Sequence, residues 1–361
     1  MEPMRTVYLV RHGAPDIPGG GRMCLGRTDL PLNRLGRMQA VLTGGALAGA
    51  GLTNVYCSPL LRSRQTAEYL SPPAAVLPGL EEMDTGEWDG LYFEEILLRW
   101  PELYARRGED FAACIPGGES RPEMLRRFSA ALCRALASSS GNVAVVSHKT
   151  VIQTYLGEHL GLSPRGAQSI PLPYGSVTRL LFSDGRLSVA DVGVPPHPVP
   201  DEILCARLLA AAGVPETVAA HSAAVAETAR FLAGPLLEIG VPLSLERVLA
   251  GARLHDIARC ECHHAAVGAD WLAALGYPEL AEIIRQHNDL DDPGRIDEAA
   301  VVFIADKLVE GARPTTLESR FAASREKCTS PSARTVHARR YAAAAAVAAG
   351  INRLCGKTLI P

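Results

Sequence analysis

Between Val194 and Pro200 the chain reads VPPHPVP, and a segment so rich in proline can neither continue a helix nor donate to a sheet ladder. It separates two patterns of different period. Upstream, strand-like apolar runs alternate with helical ones: VYLV from Val7, a helix over about Leu35–Ala50, NVYCS from Asn54, a helix over Ser63–Leu70, further helices, and NVAVVSH from Asn142. That order predicts a three-layer α/β domain, a mainly parallel sheet with helices on both faces. VTRLLF and RLSVADV, joined at Ser183-Asp184-Gly185, predict a closing hairpin. Downstream the strand signal vanishes and Ala/Leu-rich helical periodicity replaces it, as in SLERVLAGARLHDIA. The expected organisation is an α/β domain over 1–194, a Pro-rich linker over 195–200 and an all-α domain over 201–361. AAAAAVAAG near the end predicts a close-packed helix stopped by Gly350.

A net charge of −3 over 361 residues argues against nucleic acid or an anionic membrane as partner. No apolar h-region follows Met1 and no apolar run is long enough to span a bilayer, so a soluble cytoplasmic protein is expected. Nine cysteines without paired spacing read as reduced thiols. Cys260 and Cys262, flanking Glu261 near a histidine cluster, are a weak candidate metal pair.

VYLV ends on Arg11, His12 and Gly13. At the C-terminal edge of a strand in an open α/β sheet, a cation beside an imidazole suggests an anionic substrate. Three later stretches can return to that edge: CSPLLRSRQTA from Cys57, LEEMDTGEWDG from Leu80 and VVSHKTVIQ from Val145. With the RHG tripeptide, these motifs in this order resemble the histidine phosphatase superfamily, of phosphoglycerate-mutase-like fold, over roughly residues 4–194. The resemblance implies that His12 is a nucleophile that becomes phosphohistidine, that Arg11, Arg62 and His148 complete a phosphate pocket, and that Glu82 is the general acid. Phosphoryl transfer asks for the same groups: cations around the equatorial oxygens, an unprotonated nucleophile and a proton donor for the leaving alkoxide. No metal is required there. Glu81 and Asp84 are rival acids, with spacing to Gly86 favouring Glu82. Arg64 reads as a solvated helix residue, and Lys149 stands where the family often has glycine. GRTDLPLNRLGRMQA from Gly26 resembles the small phosphatase branch that includes alpha-ribazole phosphatase, which favours hydrolysis over mutase activity. PGGES, Pro116–Ser120, is expected to form a loop over the site.

In the helical half, His221 opens HSAAVAETARFLA, LHDIA places His255 beside Asp256, and His264, His287 and Asp306 follow on apolar helical patterns, where such groups are costly unless paired or metal-bound. The order H…HD…H…H…D resembles the HD-domain metal phosphohydrolases over about 201–345, and most of all the bacterial family of symmetrical dinucleoside-tetraphosphate hydrolases. That resemblance implies one metal held by His221, His255, Asp256 and Asp306 and a second held by Asp256, His264 and His287, with iron, manganese or zinc all suited to the donors. It also implies Arg313 as a substrate-side arginine. His263 is a rival ligand, and spacing to Gly268 favours His264. Asp289, Asp291 and Asp292 read as a solvated acidic loop.

The expected protein is a bifunctional phosphohydrolase acting on a small phosphorylated metabolite or nucleotide, the two sites acting in sequence on one compound. The alternatives are a phosphatase regulated by a nucleotide-binding HD half, and a mutase in the first half.

Overall fold

The computed structural model describes residues 4–107, 109–110, 113–183, 185–194 and 199–361. The chain divides into two compact units, Met1–His197 and Pro198–Pro361. Most of the expected Pro-rich linker, at 195–198, and Asp184 of the expected turn lie outside the described residues.

The first unit runs β1 (Arg5–Arg11), α1 (Arg34–Leu47), β2 (Leu52–Cys57), α2 (Leu61–Ala67), β3 (Ala75–Val76), α3 (Phe93–Arg99), α4 (Pro101–Arg107), α5 (Arg121–Ala137), β4 (Asn142–Ser147), α6 (Lys149–His159), α7 (Pro164–Gln168), β5 (Val177–Ser183) and β6 (Arg186–Val194). The sheet order is β3-β2-β4-β1-β5-β6, with the first four strands parallel and the β5–β6 hairpin antiparallel at the far edge, as the sequence pattern predicts. The central strands alternate between two buried faces. Val7, Leu9, Val143 and Val145 pack with Phe128 and Leu132 of α5, while Val10, Val55, Ala144 and Val146 pack with Leu47 of α1 and Ala67 of α2. Burial on both faces explains why these strands read as continuous apolar runs. β3 is two residues long and exposed, too short and too wet to leave a periodic signal.

The β1–β4 register sets Arg11 opposite Ser147, so His12 and His148, one residue beyond each, leave the same sheet edge side by side. Gly13 is required there by close approach. A Cβ on it would lie 2.3 Å from Gly36 O, and a Cβ on Gly36 would lie 2.1 Å from Ala14 O, so α1 begins hard against the segment that carries His12.

The second unit is helical: α8 (Glu202–Ala211), α9 (Glu216–Glu238), α10 (Leu245–Leu254), α11 (His264–Ala274), α12 (Pro278–Arg285), α13 (Glu298–Lys307), α14 (Leu317–Arg325) and α15 (Pro331–Cys355), with a small hairpin of β7 (Val309–Glu310) and β8 (Arg313–Pro314). α13 is buried nearly throughout and packs against α9, α10, α12 and α15. The helix expected to stop at Gly350 continues through it. Gly350 sits where a Cβ would lie 3.2 Å from Ile296, and the helix ends at Gly356, whose φ of 63° is the left-handed cap. His221 lies in the second turn of α9 and does not open it.

Gly36→Ala is expected to cost about 1–3 kcal/mol by overpacking against Ala14. Gly49→Ala, which meets open space, should change stability by less than about 0.5 kcal/mol. Denaturant unfolding of the two variants of the full chain checks the difference.

Candidate functional sites

A cavity of about 950 Å³ opens at the C-terminal edge of the sheet and is lined by Arg11, His12, Arg62 and Glu82 among others. His12 is buried, and its Nδ1 donates to the Gly13 carbonyl at 2.7 Å, which fixes the tautomer with the lone pair on Nε2. Burial above all, then the charges of Arg62 and Arg11, hold the imidazole well below its usual range, so it is neutral at physiological pH. Arg62, on the first turn of α2, is 1% exposed; Nη1 and Nη2 donate to Thr28 O at 2.8 Å and Gly26 O at 3.0 Å, and Nε has no partner among the described residues. Those carbonyls are held in turn by the Asp89 carboxylate, which accepts from the backbone N–H groups of Gly26, Arg27 and Thr28. Arg11 donates to Leu172 O and stacks over Tyr174 at 3.6 Å. His148 caps α6 fully buried, its ring 4.9 Å from that of His12; Nε2 is 2.8 Å from Ser58 Oγ and Nδ1 has no partner among the described residues.

Glu82 lies in a segment latched from behind by Arg127, which donates to the carbonyls of Gly79, Glu81 and Glu82. One Glu82 oxygen accepts from Met83 N at 2.8 Å and the other from Thr150 N at 3.1 Å. The rival acids point elsewhere. Glu81 accepts from Gly79 N and faces Arg27 and Arg127, and Asp84 accepts from Gly86 N. Arg64 is exposed, whereas Lys149 lines the cavity. The PGGES segment does not line it. Its Pro116 carbonyl accepts from Glu87 N and its Glu119 carboxylate accepts from Asp84 N, so it buttresses the Glu82 segment from outside. The cavity walls come instead from residues 16–25 and from Trp88, Phe93, Tyr104 and Arg107. Tyr174 escaped the sequence reading because a turn residue between Pro173 and Gly175 carries no periodic signal.

In the second unit the structure brings six side chains into two adjoining groups: His221, His255 and Asp306, and Asp256, His264 and His287. Asp256 straddles them, with Oδ2 3.6 Å from His255 Nε2 and Oδ1 3.3 Å from His264 Nε2 and 3.7 Å from His287 Nε2. Asp306 Oδ1 is 3.0 Å from His221 Nε2 and 3.7 Å from His255 Nε2. Nδ1 of His221, His255 and His287 each donates to a backbone carbonyl, of Gly311, Ala252 and Ile284, so three Nε2 atoms turn inward. Among the described residues His255 Nε2 is buried without a hydrogen-bond partner, and His264 and His287 hold their Nε2 atoms 3.2 Å apart. An orphaned imidazole nitrogen within a cage of carboxylate oxygens is the donor set a divalent ion fits. Burial pushes the Asp256 carboxyl up, but the His264 hydrogen bond and neighbouring positive charge outweigh it and hold it below the carboxylate range.

His263, Cys260 and Cys262 are exposed and outside these groups. Arg313 is exposed on β8, cross-strand from Glu310, and does not line the adjoining cavity of about 800 Å³; a two-residue hairpin strand turns it outward. Cations on that cavity come instead from Arg259, Lys307, Arg320, Lys327 and Arg340, with Lys307 bound to Asp306 and Arg340 to Asp289. Asp289, expected to be solvated, accepts from Arg339 and Arg340 and ties its loop to α15.

A neutral buried imidazole among guanidiniums at a sheet edge, followed by a helical His/Asp cage, defines a phosphohydrolase in two parts. The model of the histidine phosphatase superfamily (branch 1) matches residues 7–194, and that of the HD domain matches 218–311. The chain belongs to the histidine phosphatase superfamily and carries an HD domain after it. It is similar to an uncharacterized phosphatase, PhoE, of Bacillus subtilis, 30% identical over 200 residues, 54% of this chain and 97% of PhoE. It is also similar to the bifunctional protein Rv2228c of Mycobacterium tuberculosis, 37% identical over 190 residues, which span 51% of this chain and about half, 52%, of that protein. Among solved structures, mycobacterial hydrolase 2 is similar at 25% identity and a TM-score of 0.50, covering 56% of this chain and 96% of its own. No helix among the described residues is long and apolar enough to cross a membrane.

His12 and His148 are depressed in the folded chain and near 6.5 when unfolded, so unfolding takes up protons as pH falls below about 6.5. Their contribution to stability is therefore full above that pH and is lost progressively below it. By imidazole NMR, the resonances that disappear in His12→Ala and His148→Ala should not titrate between about pH 7.5 and 5.5, whereas titration near 6.5 would refute the assignment.

Proposed function

We propose that the first unit hydrolyses phosphomonoesters through a phosphohistidine at His12. The observation that carries this reading is the fixed His12 tautomer, with Nε2 free, in a cavity shared with Arg11, Arg62 and Glu82. In the first step Nε2 attacks phosphorus, the P–O bond to the leaving group breaks, and the Glu82 carboxyl gives its proton to the departing oxygen. In the second step Glu82 takes a proton from water as that water attacks phosphorus; the P–N bond breaks, phosphate leaves, and the electron pair returns to Nε2. Arg11 and the unpartnered Nε of Arg62 offer donors to the equatorial oxygens, and the unpartnered Nδ1 of His148 offers one more. Release of phosphate to water is favoured over transfer within one molecule by the likeness to phosphatases such as PhoE.

We further propose that the HD unit is a metal-dependent hydrolase of a phosphoric ester or anhydride of nucleotide type. Its first ion would be held by His221, His255, Asp256 and Asp306 and its second by Asp256, His264 and His287. Divalent ions bound there would supply Lewis acidity and neutralise charge on the reacting phosphate. The chain's own part is to orient the ligands through the Gly311, Ala252 and Ile284 carbonyls and to draw in the anion with Arg259, Arg320, Lys327 and Arg340. Phe321 and His337, packed edge-to-face at 5.2 Å, add an apolar and aromatic stretch to the same wall.

His12→Ala should abolish chelator-resistant phosphate release. Glu82→Gln should slow an alkyl phosphate by about 10²–10⁴-fold and p-nitrophenyl phosphate far less, because a good leaving group needs no proton. Equal losses on both would remove Glu82 from the acid role.

For the HD unit, elemental analysis should find bound iron, manganese or zinc in the full chain and little in Asp256→Ala, with release from dinucleoside polyphosphates lost to chelator and to that variant alike. Dinucleotide that binds intact and alters the His12-dependent rate would instead make the HD unit a regulator.

A further inference from the structure

The first cavity holds more positive charge than one phosphate needs. Its lining includes six cationic side chains, Arg11, Arg22, Arg62, Arg107, Arg121 and Lys149, against two anionic ones, Asp16 and Glu82. With His12 neutral, a phosphate dianion offsets half of that excess. Arg11 and Arg62 serve the phosphate, and Arg121 donates to the backbone carbonyls of Arg107 and Asp110. Arg22, Arg107 and Lys149 remain, and among the described residues none of them has a carboxylate within 4.0 Å.

These cations are also pre-positioned. The Arg107 guanidinium lies 5.3 Å over Trp88, and Arg22 lies 5.2 Å over Phe93. Trp88 is 2% exposed and stacks on Tyr104 at 6.0 Å, so the platform under Arg107 is itself rigid. Arg107 Nη2 reaches the Met83 sulfur at 3.1 Å, a weak acceptor, and its Nε is buried without a partner among the described residues. Lys149 follows His148 directly at the start of α6, one residue before Thr150, whose N–H holds Glu82. Arg107 meets the sulfur of Met83, the residue after Glu82, and Lys149 precedes the Thr150 N–H that holds the Glu82 carboxylate, so both stand on the Glu82 side of the cavity, where the leaving group would depart. Like charges gathered in a half-closed cavity are costly unless an anion joins them.

We infer that the phosphomonoester hydrolysed at His12 carries a second anionic group, a carboxylate or another phosphate, on its leaving group, and that Arg107 and Lys149 bind it. The inference rests on the His12 phosphatase reading. It is specific to this chain, since Lys149 occupies a position where the resemblance led us to expect glycine.

The test uses the full chain, hydrolysis of p-nitrophenyl phosphate, and two probes of nearly the same shape as competing ligands: 3-phosphoglycerate, which has a carboxylate, and glycerol 3-phosphate, which has a hydroxymethyl group in its place. The inhibition constant of 3-phosphoglycerate should be lower by about tenfold or more, the effect of one charge-assisted pair, and the gap should narrow as salt is raised. Arg107→Met and Lys149→Met should each shrink the ratio of the two constants by at least about threefold, while Lys149→Arg keeps it. A wild-type ratio near one, or a ratio that both methionine variants leave intact, would overturn the inference. Chelator-resistant hydrolysis of p-nitrophenyl phosphate that survives His12→Ala would overturn the phosphatase reading beneath it, a separate result from the same assay.

Discussion

The parallel pairing of β1 with β4 is the contact on which the first site depends. Because Arg11 stands opposite Ser147, the two residues that follow, His12 and His148, leave the sheet together and their rings come within 4.9 Å. A one-residue slip would send every side chain of β1 to the other face and separate the pair. The same edge receives Ser58 from the end of β2, which meets His148 Nε2, and the start of α2, which delivers Arg62. The glycines at 13 and 36 let α1 close on this edge, and Thr66 Oγ1 and Gln39 Oε1 take up the N–H groups of Gly13 and Ala14 that the close approach would otherwise leave unpaired.

Helix ends do the equivalent work in the second unit. His255 caps α10 and His287 follows the end of α12, and each turns its Nδ1 to the carbonyl three residues back. The last carbonyls of a helix have fewer intrahelical partners, so each histidine ring can donate to one, Ile284 O accepting from the His287 backbone N–H as well, and in doing so aims its other nitrogen at the cage. His221 reaches the same state from mid-helix by donating to Gly311 in the β7–β8 turn, which gives that small hairpin a positioning role.

What the sequence made legible follows from signal strength. The central strands are buried on both faces and read clearly; β3 and the β7–β8 hairpin are two-residue elements whose pairing is set by their surroundings. The reactive residues stood out because a histidine or aspartate on an apolar pattern is anomalous, and the structure gathers them. Arginines that serve a cavity wall gave no such signal. Arg107 ends α4 like any helix-terminal cation, and Arg320 and Arg340 sit on helices with ordinary polar faces, whereas Arg313, whose position after the ADK motif resembles a family pattern, is faced outward by its hairpin. Gly350 misled for a related reason. A glycine after an alanine run reads as a stop, yet here its lack of a side chain serves packing on Ile296.

The two sites keep their imidazoles in opposite electrostatic company, and that difference bears on the chemistry each can do. His12 is buried among guanidiniums, and burial first and then their charge lower its proton affinity, while the same guanidiniums give the cavity the positive field that the proposed phosphoryl transfer needs. The helical cage surrounds its imidazoles with the carboxylates of Asp256 and Asp306, and the nearest fixed cation, Lys307, is hydrogen-bonded to Asp306 at 2.5 Å and to the His287 carbonyl at 3.1 Å. Such a cage repels a phosphate rather than attracting it. A negative oxygen can settle against Asp256 only when cations intervene, which is what the proposed divalent ions would supply. The first unit thus builds its positive field into the chain, whereas the second sets the carboxylates of Asp256 and Asp306 at its centre with Lys307 and Arg259 beside them.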